Sequence, residues 1–174
     1  MLDDMRLISL LLTIGVVMAA AADKKAAPAT VELKNAKGEV VGKLRATENK
    51  GGGVKLTGNV MNLPAGEHAI HVHETGSCEP PDFKSAGPHF NPEKHKHGLA
   101  TQGGHAGDLG NFTVGANGKA KINLVMSKVT LGDGDNSLFK TGGTALVIHE
   151  KADDLKTDPA GDAGGRMACG VFTK

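Results

Sequence analysis

Between residues 30 and 74 apolar and polar positions alternate in short runs, TVELK, EVVGKLRATE, VKLTGNVMNL and EHAIHVHE, separated by NAKG, NKGGG and PAG. A period of two belongs to strands that bury one face, and the separators carry turn chemistry, so the pattern predicts four strands. From Thr75 to Asp108 the alternation stops, and a stretch rich in Gly, Pro, His and Lys follows with no amphipathic period. Alternation resumes in NFTVG, an Asn117-Gly118 hairpin signal, KAKINLVMS, TALVIHE and MACGVFTK, with a second Gly/Asp/Pro-rich loop from Lys151 to Arg166. About eight strands at this spacing predict an all-β fold, an antiparallel sandwich or barrel with two long loops, rather than βαβ units. A structureless run as long as the first loop needs something besides apolar burial to hold it.

Composition narrows the core. The 174 residues include 25 glycines and five phenylalanines but neither Trp nor Tyr, so the interior must be built from Val, Leu, Ile and Ala. A formal charge of +1 argues against a nucleic-acid or membrane-surface partner and leaves only local electrostatic roles.

The first 22 residues read differently. Leu7 to Ala22, LISLLLTIGVVMAAAA, is shorter than the roughly 20 residues that span a bilayer, ends in small residues, and is followed by charged Asp23, Lys24 and Lys25. That is the form of a secretory signal cleaved near Ala22, against the alternative of an uncleaved anchor. Asp3 and Asp4 are unexpected in such a leader, and a start at Met5 followed by Arg6 would suit it better. Residues 23–29 then form a lead-in, and residues 30–174 one domain carrying a charge of +2 from residue 23 onward. Export to a periplasm or the exterior makes Cys78 and Cys169 a candidate disulfide rather than two buried thiols. A bridge closing so long a loop is worth on the order of 4 kcal/mol in the chain-entropy account.

Seven of the eight histidines are His68, His71, His73, His89, His97, His105 and His149, the eighth being His95. On a strand His71 and His73 share one face while His68 takes the other, so the pair can grip one ion and His68 must either be bonded within the fold or be left in water. In the first loop His89, His97 and His105 recur every eighth residue with Asp108 three further on. Three imidazoles and a carboxylate form a closed tetrahedral set suited to structural zinc, whose binding could order a loop that lacks a core. His71 and His73 with His149 from a distant strand are an all-nitrogen set of the kind copper(II) favours. His95, between two lysines, reads as a surface histidine.

Together HAIHVHETGSC, SAGPHFNP, HGLATQGGHAGDLGN, LVIHEKADD and GGRMACGV resemble, in this order, the motifs of the copper/zinc superoxide dismutases over roughly residues 30–173, in the form exported by bacteria. The resemblance implies an eight-stranded antiparallel Greek-key barrel, immunoglobulin-like in its sandwich. It implies copper on His71, His73, His89 and His149, and zinc on His89, His97, His105 and Asp108, with His89 bridging the two. It further implies Asp153 as the carboxylate linking copper and zinc histidines, His68 as an internal support of the copper strand, Cys78–Cys169 as the intrasubunit bridge, and Arg166 as the catalytic cation beside copper, with His89 as proton donor. The substrate implied is superoxide. Two departures stand out. The segment EPPDFKSAGP between Cys78 and His89 is longer than in cytosolic eukaryotic forms, and the loop from His149 to Arg166 is shorter and lacks their Glu/Lys steering cluster, which leaves Lys84 or a nearby lysine for that role. A homodimer is expected, but because the disulfide loop shapes subunit contacts in the family, its mode, or a monomer instead, is left open. The rival reading is a non-enzymatic copper- or zinc-binding protein of the envelope on the same fold.

Overall fold

The computed structural model describes residues 26–174, so the expected signal segment and the start of the lead-in lie outside the described residues. Eight strands follow in chain order: β1 (Ala29–Asn35), β2 (Val40–Glu48), β3 (Val54–Val60), β4 (Gly66–His73), β5 (Asp108–Val114), β6 (Ala120–Met126), β7 (Ala145–His149) and β8 (Arg166–Thr173). Each coincides with one of the alternating runs. Two short 3-10 turns, Lys84–Ala86 and Ala100–Gln102, are the only helical elements among the described residues.

All ladders are antiparallel, and the hydrogen-bonded order is β5-β4-β7-β8-β1-β2-β3-β6. Strands β5 and β6 lie side by side without a ladder between them, so the barrel is nearly closed. Around that seam the spatial order is β3, β6, β5, β4, with consecutive strands adjacent and β3 returning beside β6, which is Greek-key connectivity. Alternation fills the interior: Val31 and Leu33, Leu44 and Ala46, Val54, Leu56 and Val60, Ile70 and Val72, Ile122, Leu146 and Ile148 are all buried in one cluster.

Strand β4 shows how the sequence aims its histidines. Its last six residues are all buried. Ile70 and Val72 enter the barrel core, and His68 shares their parity. His71 and His73 point out of the barrel, yet they are covered because the long loop folds back over them. Apolar packing, backbone bonds and a disulfide pin that loop. Phe90 enters the main core, Phe83 packs with Ala86, Ala145, Val147 and Cys169, and Phe90 exchanges backbone bonds with Val72 (2.8 Å) and Gly107 (2.9 Å). Cys78 and Cys169 form the disulfide, with Cα atoms 5.7 Å apart, tying the loop to β8.

Candidate metal centre

The ring nitrogens sort themselves by what they can donate to. Asp153, a buried residue of the second loop, accepts from Nε2 of His71 at 2.7 Å and from Nε2 of His97 at 2.9 Å. Each ring is thereby fixed with its proton on Nε2, which leaves both Nδ1 atoms as bare lone pairs. Nδ1 of His73 donates to the Gly87 carbonyl (2.8 Å) and Nδ1 of His149 approaches that of Gly164 (3.4 Å), so their Nε2 atoms, 3.4 Å apart, face each other with no proton to share. His89 sits between the two groups. Its Nδ1 lies 2.8 Å from Oδ1 of Asp108, and its Nε2 is buried with no hydrogen-bond partner, as are Nδ1 of His71 and of His97.

Two four-residue donor sets result, each with ligand atoms within 4.8 Å of one another: His71, His73, His89 and His149 in one, His89, His97, His105 and Asp108 in the other. Every member is buried and His89 belongs to both. A cluster of buried lone pairs without donors is costly in an otherwise satisfied interior. A cation at each focus satisfies them all at once, so the donor chemistry fits an all-imidazole copper site and a His₃Asp zinc site.

Electrostatics keeps the donor atoms free of protons. Burial pushes the His73 ring well below its ordinary 6.5, with neighbouring His89 adding to the effect. Burial, and then His71, lower His89 to about 4, and burial with His71 and His89 lowers His149 to about 3. Burial alone would raise the Asp108 carboxyl, but the His89 hydrogen bond holds it below its usual value. Asp153 behaves likewise: burial opposes its ionisation, and the bonds from His71 and His97 overcome it and keep it well below the carboxylate range.

A pH dependence of stability follows for the metal-free protein. The three histidines stay neutral in the fold, whereas the unfolded chain takes up their protons as pH falls below 6.5. The unfolded state then binds more protons, so stability is complete above that value and declines as pH falls towards 4 and 3. Urea denaturation of the metal-free, disulfide-intact protein at about pH 7 and about pH 5 should show a loss on the order of 2 kcal/mol for each of these histidines at most. An unchanged midpoint would contradict the depressed values.

The remaining expected residues are placed as follows. His68 bridges the His149 carbonyl (3.0 Å) and the Pro64 carbonyl (2.9 Å), fastening β4 to β7 behind the ligands. Arg166, half-buried opposite His149 in the β7–β8 register, donates to the carbonyls of Phe83 and Gly87 at 2.7 Å each. Gly87 O therefore receives both Arg166 and His73. Lys84 is exposed and ion-paired with Asp82 at 2.8 Å. His95 is a surface residue, as expected, but it has a partner: Lys128, from the β6–β7 connection, places its ammonium 3.0 Å from His95 Nδ1, 3.1 Å from Glu93 and 3.2 Å from the Gly104 carbonyl, fastening the segment that holds His97 and His105.

Three contributors were invisible in the pattern. Asn111 donates Nδ2–H to the Asp153 carbonyl (2.9 Å) and accepts from Asp153 N–H (2.7 Å). Gly161, at φ +65°, lies against Asp153 and His97, where any Cβ would overlap both side chains. Lys128 is one of many lysines in sequence and has no motif to mark it.

The copper/zinc superoxide dismutase family model matches residues 40–172. A copper-zinc superoxide dismutase of Aquifex aeolicus is 50% identical over 147 residues, 83% of this chain and 85% of its own. Among solved structures, a double mutant of a superoxide dismutase-like protein from Bacillus subtilis has a TM-score of 0.78 at 39% identity, covering 82% of this chain and 95% of that one. The copper/zinc enzyme of Brucella abortus has a TM-score of 0.68 at 29% identity, covering 83% and 99%. With the match spanning β2 to β8, seven of the eight strands, and both donor sets in place, the chain belongs to the copper/zinc superoxide dismutase family, whose cofactors are copper and zinc.

Proposed function

We propose that the protein disproportionates superoxide, two anions and two protons giving dioxygen and hydrogen peroxide, with copper on His71, His73, His89 and His149 and zinc on His89, His97, His105 and Asp108. When bound, the copper supplies one-electron exchange with successive superoxide anions and the zinc supplies fixed charge. His89 carries the reading: it is one buried imidazole whose Nδ1 meets Asp108 and whose Nε2, without a hydrogen-bond partner, belongs to the copper set. Nε2 can take up a proton during the reducing half-reaction and pass it to the peroxide product, while Nδ1 keeps the ring in place beside Asp108. Arg166 supplies a cation that does not titrate in the working range and orients the anion next to His149. Its two carbonyl partners, Phe83 and Gly87, hold the guanidinium in one position.

Lys84 assists less directly. Asp82 lies within the field of Arg166, and the Lys84 ammonium offsets that carboxylate. The decisive assay uses residues 23–174 loaded with both metals. Superoxide removal should fall as salt rises, stop on selective copper removal, and in Arg166→Glu drop about tenfold or more with the salt dependence reversed in sign. A fully metallated protein without turnover would instead favour the copper- or zinc-binding reading.

We also infer export. The support is the Leu7–Ala22 segment with its small-residue end, together with a disulfide of the kind that persists in oxidising compartments. Among the described residues no helix is long and apolar enough to cross a membrane. The mass of the protein recovered from a bacterial envelope fraction should correspond to a start near Asp23, and the intact chain there would overturn cleavage. A homodimer is the expected assembly, checked by sedimentation.

A further inference from the structure

The near-neutral total charge conceals a segregation. Residues 30–60 and 116–126, which form β1, β2, β3 and β6, hold eight Lys and Arg against three carboxylates, while the other described residues hold nine against thirteen. The ladders set the outward side chains of this basic half in rows. Glu32 pairs with Lys43, Lys43 with Asn59, and Asn59 with Lys121; Arg45 pairs with Thr57, and Thr57 with Asn123; Lys55 pairs with Val125. Glu32 is the one carboxylate in these rows, and it is already engaged by Lys43 (2.9 Å) and Lys34 (3.5 Å).

Apolar groups stand on the same face. Of the four exposed large hydrophobic residues among those described, Val125 (48% exposed) and Val40 (39%) lie on this half, and Met61 (43%) directly follows β3 and bonds to Val41 of β2. Met61 also borders a shallow cavity of about 400 Å³ whose rim carries Lys119 and Lys121. Purely solvating lysines would not require uncovered Val and Met between them, and a soluble polyanion would gain nothing from those groups. A second copy of the chain is disfavoured, since two such faces repel.

We propose that this face docks on an anionic lipid surface, the ammonium groups meeting headgroup phosphates and Val40, Met61 and Val125 entering the interfacial layer. The barrel's strand order makes the arrangement compatible with turnover. Strands β2 and β3 lie across the barrel from β4 and β7, so a docked molecule turns its histidine cluster away from the lipid.

The test is cosedimentation with vesicles, using residues 23–174, which contain the entire barrel and exclude the apolar leader. Wild type should partition onto vesicles rich in phosphatidylglycerol, not onto phosphatidylcholine alone, and should be released by salt. The triple variant Lys43→Glu, Arg45→Glu, Lys121→Glu should lose at least about tenfold in partitioning. Val125→Asp should lose several-fold while both variants keep the wild-type melting temperature and metal content. Should either variant unfold, Lys55→Ser and Lys121→Ser, exposed single neutralisations, replace it in the same assay. Equal partitioning of wild type and variants, or none by wild type, overturns the proposal. So does binding to heparin that Val125→Asp leaves unchanged in the absence of vesicle binding.

Discussion

His89→Ala should abolish superoxide removal and weaken both metals, whereas His149→Ala should abolish it while leaving zinc in place. The difference rests on membership of the donor sets. His149 offers Nε2 to the all-imidazole set alone, where it faces His73 at 3.4 Å. His89 serves both sets, and its ring also fixes Asp108 through the 2.8 Å contact at Nδ1. Removing it leaves a three-ligand remnant on each side and a buried carboxylate that has lost its shortest imidazole contact. Metal analysis and cobalt spectra of the zinc position separate the two variants without reference to activity. If His89→Ala bound zinc as tightly as wild type, the shared ring would have to be given up. If His149→Ala turned over normally, the copper assignment would fail.

Much of this was legible from one-dimensional spacing. A period of two places His71 and His73 on one face and His68 on the other whatever the fold, and β4 bears that out. The eight strands were legible for the same reason, since alternation and turn residues act locally. The long loop was legible only in part. Its Gly, Pro and Lys content conceals Phe83 and Phe90, two aromatics among polar neighbours that prove buried and pack the loop against the barrel. Contacts made by single side chains across large sequence separations left no trace: Lys128 meets the His95 segment, and Asn111 meets the backbone of Asp153. Neither role depends on a periodic pattern, so no reading of spacing could have found them. Net charge is silent on arrangement for a related reason. A sum near zero says nothing about how the ladders distribute cations and carboxylates between the two halves of a barrel.

Asp153→Asn should give a protein that folds, keeps its disulfide, and binds both metals about 10- to 100-fold more weakly. The carboxylate accepts Nε2–H from one histidine of each set, His71 and His97, and also accepts the Leu155 backbone N–H at 2.6 Å. Its backbone is clamped in turn by Asn111. An amide of the same shape has one acceptor oxygen and must present N–H to the other ring. That ring then has to flip its tautomer, moving its proton onto Nδ1, the atom that belongs to the donor set. One of the two sets is thus deprived of a lone pair, while the negative charge that makes both imidazoles better donors is lost from each. Asp153→Glu would not repair the defect, because Gly161 leaves no room beside His97 for a longer side chain. Competitive chelator titrations report the two affinities separately, and an Asn variant that holds both ions as wild type does would show that the ring orientations are set elsewhere.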